Sequence, residues 1–211
     1  MIQADYIDHM GSDLTVVNSA RVSFAKQVDT MTMSDAKLIN YLAKHDHWTP
    51  FSHPQVMIRE TVPIFVARQR FKHMVGFTYN EVSRRYVSDE PEFYYPEVWR
   101  AKPEGSVKQG SSGEHPDSYY WSLHYKSLMD DCLKTYEAMV RDGVAPEMAR
   151  MALPQSMLTS YYVTGSLAAW ARMVKQRKDS HAQVEIQVLA HKVEEVIKPL
   201  YPISWEALTN G

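Results

Sequence analysis

At Pro63 the apolar pattern of this chain changes period. Before it, Val56, Ile58 and Val62 alternate with polar neighbours, as in a strand with one buried face. After it, Ile64, Phe65 and Phe71 face one way while Arg68, Gln69 and Lys72 share another flank, as on a helix. Proline suits the junction, because the first helical position needs no N–H and its fixed φ starts a helix. The spacing predicts a strand over Pro54 to Val62 and a helix over Ile64 to His73, broken by Gly76. The segment Tyr79 to Ser83 then reads as a loop.

That helix end and loop concentrate positive charge. Arg68, Arg70, Lys72, Arg84 and Arg85 surround one acid, Glu81, together with Gln69, His73, Thr78, Asn80 and Ser83. The chain carries 23 Lys and Arg against 25 Asp and Glu, a formal net charge of -2, so the excess is local. A solvated face would interleave acids with bases. Guanidinium groups mixed with amide, hydroxyl and carboxylate groups suit a small anion bearing a hydrogen-bonding ring, such as a nucleotide. The competing reading is a subunit interface laced with salt bridges. The near-neutral balance argues against a general nucleic-acid coat, so nucleic acid is not an expected partner. Arg150, with the run Arg177 to His181, offers a second cationic set. Ser180 to Gln183 there has the spacing of a capping box, whose helix start would also favour anions.

The remaining pattern predicts one α+β domain over 1–211, with helices packed on a mixed or antiparallel sheet. Ile2 to Asp8 reads as a strand, and Ser12 or Asp13 as the cap of a helix carrying Leu14, Val16, Val17 and Ala20. Ser34 would cap a second helix, with Leu38, Ile39 and Leu42, ending near His45. Residues 101–117, rich in Gly, Ser and Pro, read as a flexible surface loop. A long helix over Ser118 to Arg141 would bury Leu128, Cys132, Leu133, Tyr136 and Met139 and stop at Gly143. Pro146 opens a short helix, Met157 to Val163 reads as a strand, and Gly165 to Val174 as a helix. The last predicted helix turns Val184, Val188, Leu189, Val193 and Val196 inward.

Other chemistries find little support. The single cysteine, Cys132, excludes an internal disulfide and sits in a core-like helical setting rather than a nucleophile's. His45, His47 and His53 lack the tight spacing or carboxylate partner of a zinc site, so no metal is expected. There is no nucleophile elbow, Walker-type loop or dinucleotide fingerprint. The start shows no signal-peptide pattern, and no apolar run approaches the ~20 residues of a membrane span. A cytoplasmic protein with no membrane partner is the expectation.

Over most of its length the chain resembles the flavin-dependent thymidylate synthases. The matching blocks are Ala20 to Phe24, His45 to His53, Pro63 to Gln69, Tyr79 to Tyr86, Ala149-Arg150 with Leu153-Pro154, and Asp179 to Gln183. The family signature, Arg-His-Arg followed after seven residues by Ser, stands here as Lys72-His73-Met74, with eight residues before Ser83. The resemblance implies reductive methylation of dUMP to dTMP, with methylenetetrahydrofolate as carbon donor, FAD as hydride carrier and NADPH as reductant. It also implies a homotetramer whose active sites combine residues of different subunits. Gln69, Lys72, Glu81, Val82, Ser83, Arg84, Arg85 and Arg150 fall on its dUMP positions. Arg177 matches the catalytic arginine that contacts the uracil ring and favours its anion. Thr49, Lys72, His73 and Glu81 fall on FAD positions, and His47 lies where a histidine approaches flavin and folate. Ser166, Ala168 and Arg172 depart from the family's usual flavin-side residues, so the nucleotide half looks intact and the flavin half rebuilt. The alternative is a pyrimidine-nucleotide or RNA binder with a decayed flavin site.

Overall fold

In the computed structural model, which describes residues 1–87, 89–105 and 110–210, the Pro63 junction is the hinge of the architecture. Strand β2 (Gln55–Pro63) runs straight into helix α3 (Ile64–Arg70). Val56, Ile58 and Val62 are fully buried on its inner face, and so is Glu60, which occupies the same face. β2 is central in a four-stranded sheet of order β1-β2-β4-β3, with β1 (Gln3–Met10), β3 (Phe77–Glu81) and β4 (Leu158–Ser166). All neighbouring strands are antiparallel.

The segment expected to be a loop after Gly76 is therefore largely a strand. Phe77 and Tyr79 alternate with Thr78 and Asn80, and β3 pairs with β4 from Phe77↔Gly165 to Glu81↔Tyr161. Gly165 makes that pairing feasible, since a Cβ there would lie 2.3 Å from the Phe77 ring. Without it, Phe77 packs edge-on against Trp170 at 4.9 Å. β3 itself ends at Glu81.

The other helices are α1 (Asp13–Arg21), α2 (Met33–Lys44), α4 (Ser118–Arg141), α5 (Pro146–Ala149), α6 (Leu167–Arg177), α7 (Val184–Ile197) and α8 (Pro202–Asn210). Together with the sheet they make an α+β fold. One core joins Val16, Val17, Ile39, Trp170, Leu189 and Trp205 to the inner face of β2 and β4.

Several boundaries differ from expectation for local reasons. α2 is capped by Thr32, whose hydroxyl accepts from the Asp35 N–H while the Asp35 carboxylate accepts from the Thr32 N–H; Ser34 lies inside the helix. α3 stops at Arg70 rather than His73. β4 runs on to Ser166, whose hydroxyl caps α6 by accepting from Ala169 N–H at 3.3 Å. The capping box expected at Ser180 does not form. Asp179 instead accepts from the His181 N–H at 2.8 Å, and Gln183 is the N-cap of α7. The buried face of α7 is Ile186, Leu189, Ala190, Val193 and Ile197, leaving Val184 and Val188 exposed. α8 escapes the apolar pattern, and its start is capped from a distance. The Asp13 carboxylate accepts from the N–H groups of Ile203 and Ser204 at 3.0 and 2.8 Å.

α4 has the expected span but buries Met129 and Tyr136, while Leu128 is 55% exposed and Cys132, Leu133 and Met139 are half-buried. Residues 106–109 of the expected loop lie outside the described residues. Its flanks pair, with Arg100 opposite Glu114 and Ala101 N–H donating to Gly113 at 2.8 Å. Among the described residues no helix is long and apolar enough to cross a membrane.

Candidate active site

Where β3 ends, Val82 N–H donates to the carbonyl of Ser160 at 2.9 Å, holding the chain against β4 for one more residue. The turn Ser83-Arg84-Arg85 then opens a cavity of about 690 Å³. Glu81, Val82, Ser83, Arg84, Arg85 and Arg150 all line it. Thr159 donates to Glu81 at 2.7 Å, Arg85 Nε to the Ser83 hydroxyl at 3.2 Å, and Arg84 to the carbonyl of Asp89. Arg150 reaches the same space from the turn after α5, its Nε donating to the Glu147 carbonyl at 3.2 Å. Among the described residues these guanidinium groups hydrogen-bond to hydroxyl and carbonyl oxygens, with Arg85 also 5.0 Å from the Tyr86 ring centroid, which keeps their charge available for an anion.

Arg59 also lines this cavity, although no sequence motif marked it. It projects from the outer face of β2 and donates from Nε to Ser160 at 2.9 Å. The signal was its place between the inward Ile58 and Glu60, which turns it to the opposite face.

Gln69 and Arg177 do not join this group. They line a separate cavity of about 640 Å³ with Arg100, His181 and Gln183. Gln69 donates to Gln183 at 2.7 Å. Arg177, at the last turn of α6, donates from Nε to His73 Nε2 at 2.8 Å and from Nη2 to the Gln69 carbonyl at 3.3 Å. On a single chain, then, Arg150 and Arg177 belong to different cavities. Burial, and then the field of Arg70, lowers the Arg177 pKa from its ordinary value. His73 is only 7% exposed. Desolvation, then Arg177, Arg70 and Arg172, push its pKa down to about 4, so the ring is neutral.

The positions matched to a flavin are dispersed. Lys72 is exposed and lines neither cavity. Thr49 and His47 are exposed beside the 3-10 turn Thr49–Ser52, ahead of β2, whereas Glu81 lies at the other end of the sheet. The His45 and His47 rings are 6.5 Å apart, and no group of three or more potential metal ligands occurs among the described residues. Arg172 donates to the Val75 carbonyl at 2.6 Å.

Arg70 is the largest surprise in the cationic stretch, because it is fully buried. Its Nε meets both oxygens of Glu60 at 3.0 and 3.1 Å, and its Nη1 donates to the Tyr79 hydroxyl at 2.6 Å. The Tyr161 hydroxyl donates to Glu60 at 2.6 Å. The guanidinium carbon lies 4.4 Å from the Phe77 ring centroid and 4.9 Å from that of Trp170.

Comparison with known proteins places this geometry in a family. A family model described as thymidylate synthase complementing protein, Thy1, matches residues 5–203. The flavin-dependent thymidylate synthase of Thermus thermophilus is 36% identical over 201 residues, covering 95% of this chain and 73% of that protein. That of Thermosipho melanesiensis is 37% identical over 203 residues, covering 95% and 87%. A solved structure of the UMP/dUMP methylase PolB from Streptomyces cacaoi, bound with 5-bromo-dUMP, superposes with a TM-score of 0.90 at 28% identity, covering 100% of this chain and 95% of the other. The chain belongs to the thymidylate synthase complementing protein family, Thy1, alongside the flavin-dependent thymidylate synthases it resembles.

Proposed function

We propose that this protein methylates dUMP to dTMP, with methylenetetrahydrofolate as carbon donor, FAD as cofactor and NADPH as reductant. The observation that carries the nucleotide part is the convergence of Glu81, Ser83, Arg84, Arg85 and Arg150 on one cavity. In this reading the serine and arginines take the 5′-phosphate, for which a planar guanidinium fork is well shaped. Arg177 takes the uracil ring. A guanidinium at the ring edge stabilises its developing anion and makes C5 more nucleophilic. Gln69, held by Gln183, fixes the wall beside it. Cys132 lines neither cavity, in keeping with a reaction that needs no protein thiol.

The residues assigned to the phosphate and Arg177 line different cavities of one chain, which fits a nucleotide gripped by more than one copy. That arrangement is compatible with the homotetramer, its sites shared between subunits, that the family resemblance implies. The flavin positions point the same way. Thr49, His47, Lys72, His73 and Glu81 form no single cradle on one chain, and they fit a flavin only as parts of a shared site. When bound there, FAD would supply the hydride.

UMP is a second substrate worth testing, because the superposed PolB is described as a UMP/dUMP methylase. The decisive experiment offers the purified protein FAD, NADPH, methylenetetrahydrofolate and either nucleotide. The expected result is a yellow protein that forms dTMP. Protein that cannot be reconstituted with FAD and still binds dUMP would favour a pyrimidine-nucleotide binder instead.

A further inference from the structure

His73 touches Arg177 through a bond that fixes its own protonation. Arg177 Nε–H donates to His73 Nε2 at 2.8 Å, so Nε2 carries no proton and the imidazole is not doubly protonated. The backbone of His73 is fastened separately. The Tyr79 hydroxyl donates to the His73 carbonyl at 2.6 Å and accepts from Arg70 Nη1 at 2.6 Å. Arg70 is locked in turn by Glu60, which also takes the Tyr161 hydroxyl. Residues of β2, α3, β3 and β4 thus converge on the His73 backbone, and the His73 imidazole meets one guanidinium.

The consequence for Arg177 is a fixed orientation. Its Nε is committed to His73 and one Nη2 donor to the Gln69 carbonyl. Its Nη1 has no hydrogen-bond partner among the described residues and belongs to a side chain that lines the 640 Å³ cavity. A free arginine side chain samples many rotamers, and freezing it beforehand removes that cost from the step it serves.

We propose that His73 is a positioning residue for Arg177, a neutral acceptor anchored by the buried Glu60–Arg70–Tyr79 network that aims the Nη1 end of the guanidinium at the nucleotide ring. This rests on the reading of Arg177 as the group that polarises uracil. It is additional to the flavin contact implied by resemblance, since on one chain the Nε2 edge of the imidazole faces a protein cation.

The test compares His73→Ala and His73→Gln with the parent enzyme, since a Gln carbonyl can reach the place of Nε2. With dUMP as substrate, His73→Ala should lower kcat by about tenfold to a hundredfold, the worth of one hydrogen bond to a charged group, with KM for dUMP within about threefold. His73→Gln should recover kcat to within about threefold of the parent. The Nε–Hε resonance of Arg177, read by NMR in the intact protein, should be protected from exchange in the parent and in His73→Gln and lost in His73→Ala. An active parent with an undiminished His73→Ala would overturn the positioning role, as would equal impairment of both variants or an unprotected Arg177 resonance in the parent. A parent that does not convert dUMP would overturn the functional reading, and with it the purpose assigned to the pair.

Discussion

Arg70 and Arg85 come from the same cation-rich stretch, yet Arg70 is fully buried against Glu60 while Arg85 is exposed at the rim of a 690 Å³ cavity. The buried guanidinium is bonded to a carboxylate and a phenol and ringed by aromatic faces. The exposed one bonds, among the described residues, to a hydroxyl, lies 5.0 Å from the Tyr86 ring centroid and leaves its charge at the cavity. Charge counted along a sequence cannot separate these roles. What separates them is whether a neighbouring strand buries a carboxylate beside the guanidinium, as β2 does with Glu60.

The comparison can be broken most severely at Arg177, which sits between the two regimes. Arg177→Ala should cut turnover of dUMP by at least about a hundredfold to a thousandfold, the scale for losing one preorganised charge-stabilising donor, while FAD stays bound. Near-normal steady-state kinetics would remove Arg177 from the chemistry. Glu60→Ala should then cost about 3–5 kcal/mol of stability, because it strands a buried cation. Denaturant unfolding measures it, and a change below about 1 kcal/mol would mean that the network is not structural.

Arg85→Ala should do the reverse. It should weaken dUMP binding about tenfold to a hundredfold and leave unfolding within about 0.5 kcal/mol of the parent. Calorimetric titration beside a melt distinguishes the two. A smaller effect comes from His73, whose folded pKa of about 4 lies below its ordinary 6.5. Between those values the unfolded chain binds the extra proton, so stability falls as pH drops from about 6.5 toward 4 and is regained above that window. His73→Gln should flatten that segment of the stability curve; an unchanged slope would show that the imidazole is not held neutral. Smallest of all is Cys132→Ser, for which retained turnover is expected and complete loss without unfolding would revive a thiol mechanism.

Much of the fold was legible where one rule acted alone. The Pro63 junction and the span of α4 follow from periodicity, proline and a terminal glycine. β3 was misread because Gly76 and a run of polar residues masked the alternation of Phe77 and Tyr79. α8 was missed because its cap, Asp13, lies at the far end of the sequence. In the site, the cluster from Glu81 to Arg85 was legible because neighbours in sequence line one cavity. The division of Arg150 from Arg177 was not, since it depends on how segments far apart in the sequence fold together around each cavity. Arg70 was counted among the ligand-binding cations, although Glu60, in step with Ile58 and Val62, was the sign that it has a buried partner.

The Glu60–Arg70 pair restricts how this sequence can drift over generations. Neither member can be exchanged first without leaving its counterpart as an isolated ion in the interior, a step selection would reject. A joint exchange for two apolar residues would be tolerable for the ions themselves, yet the phenols of Tyr79 and Tyr161 would each then lose a mate. Four positions on three strands and a helix are therefore inherited as one unit, and descendants of this chain should carry all four or none.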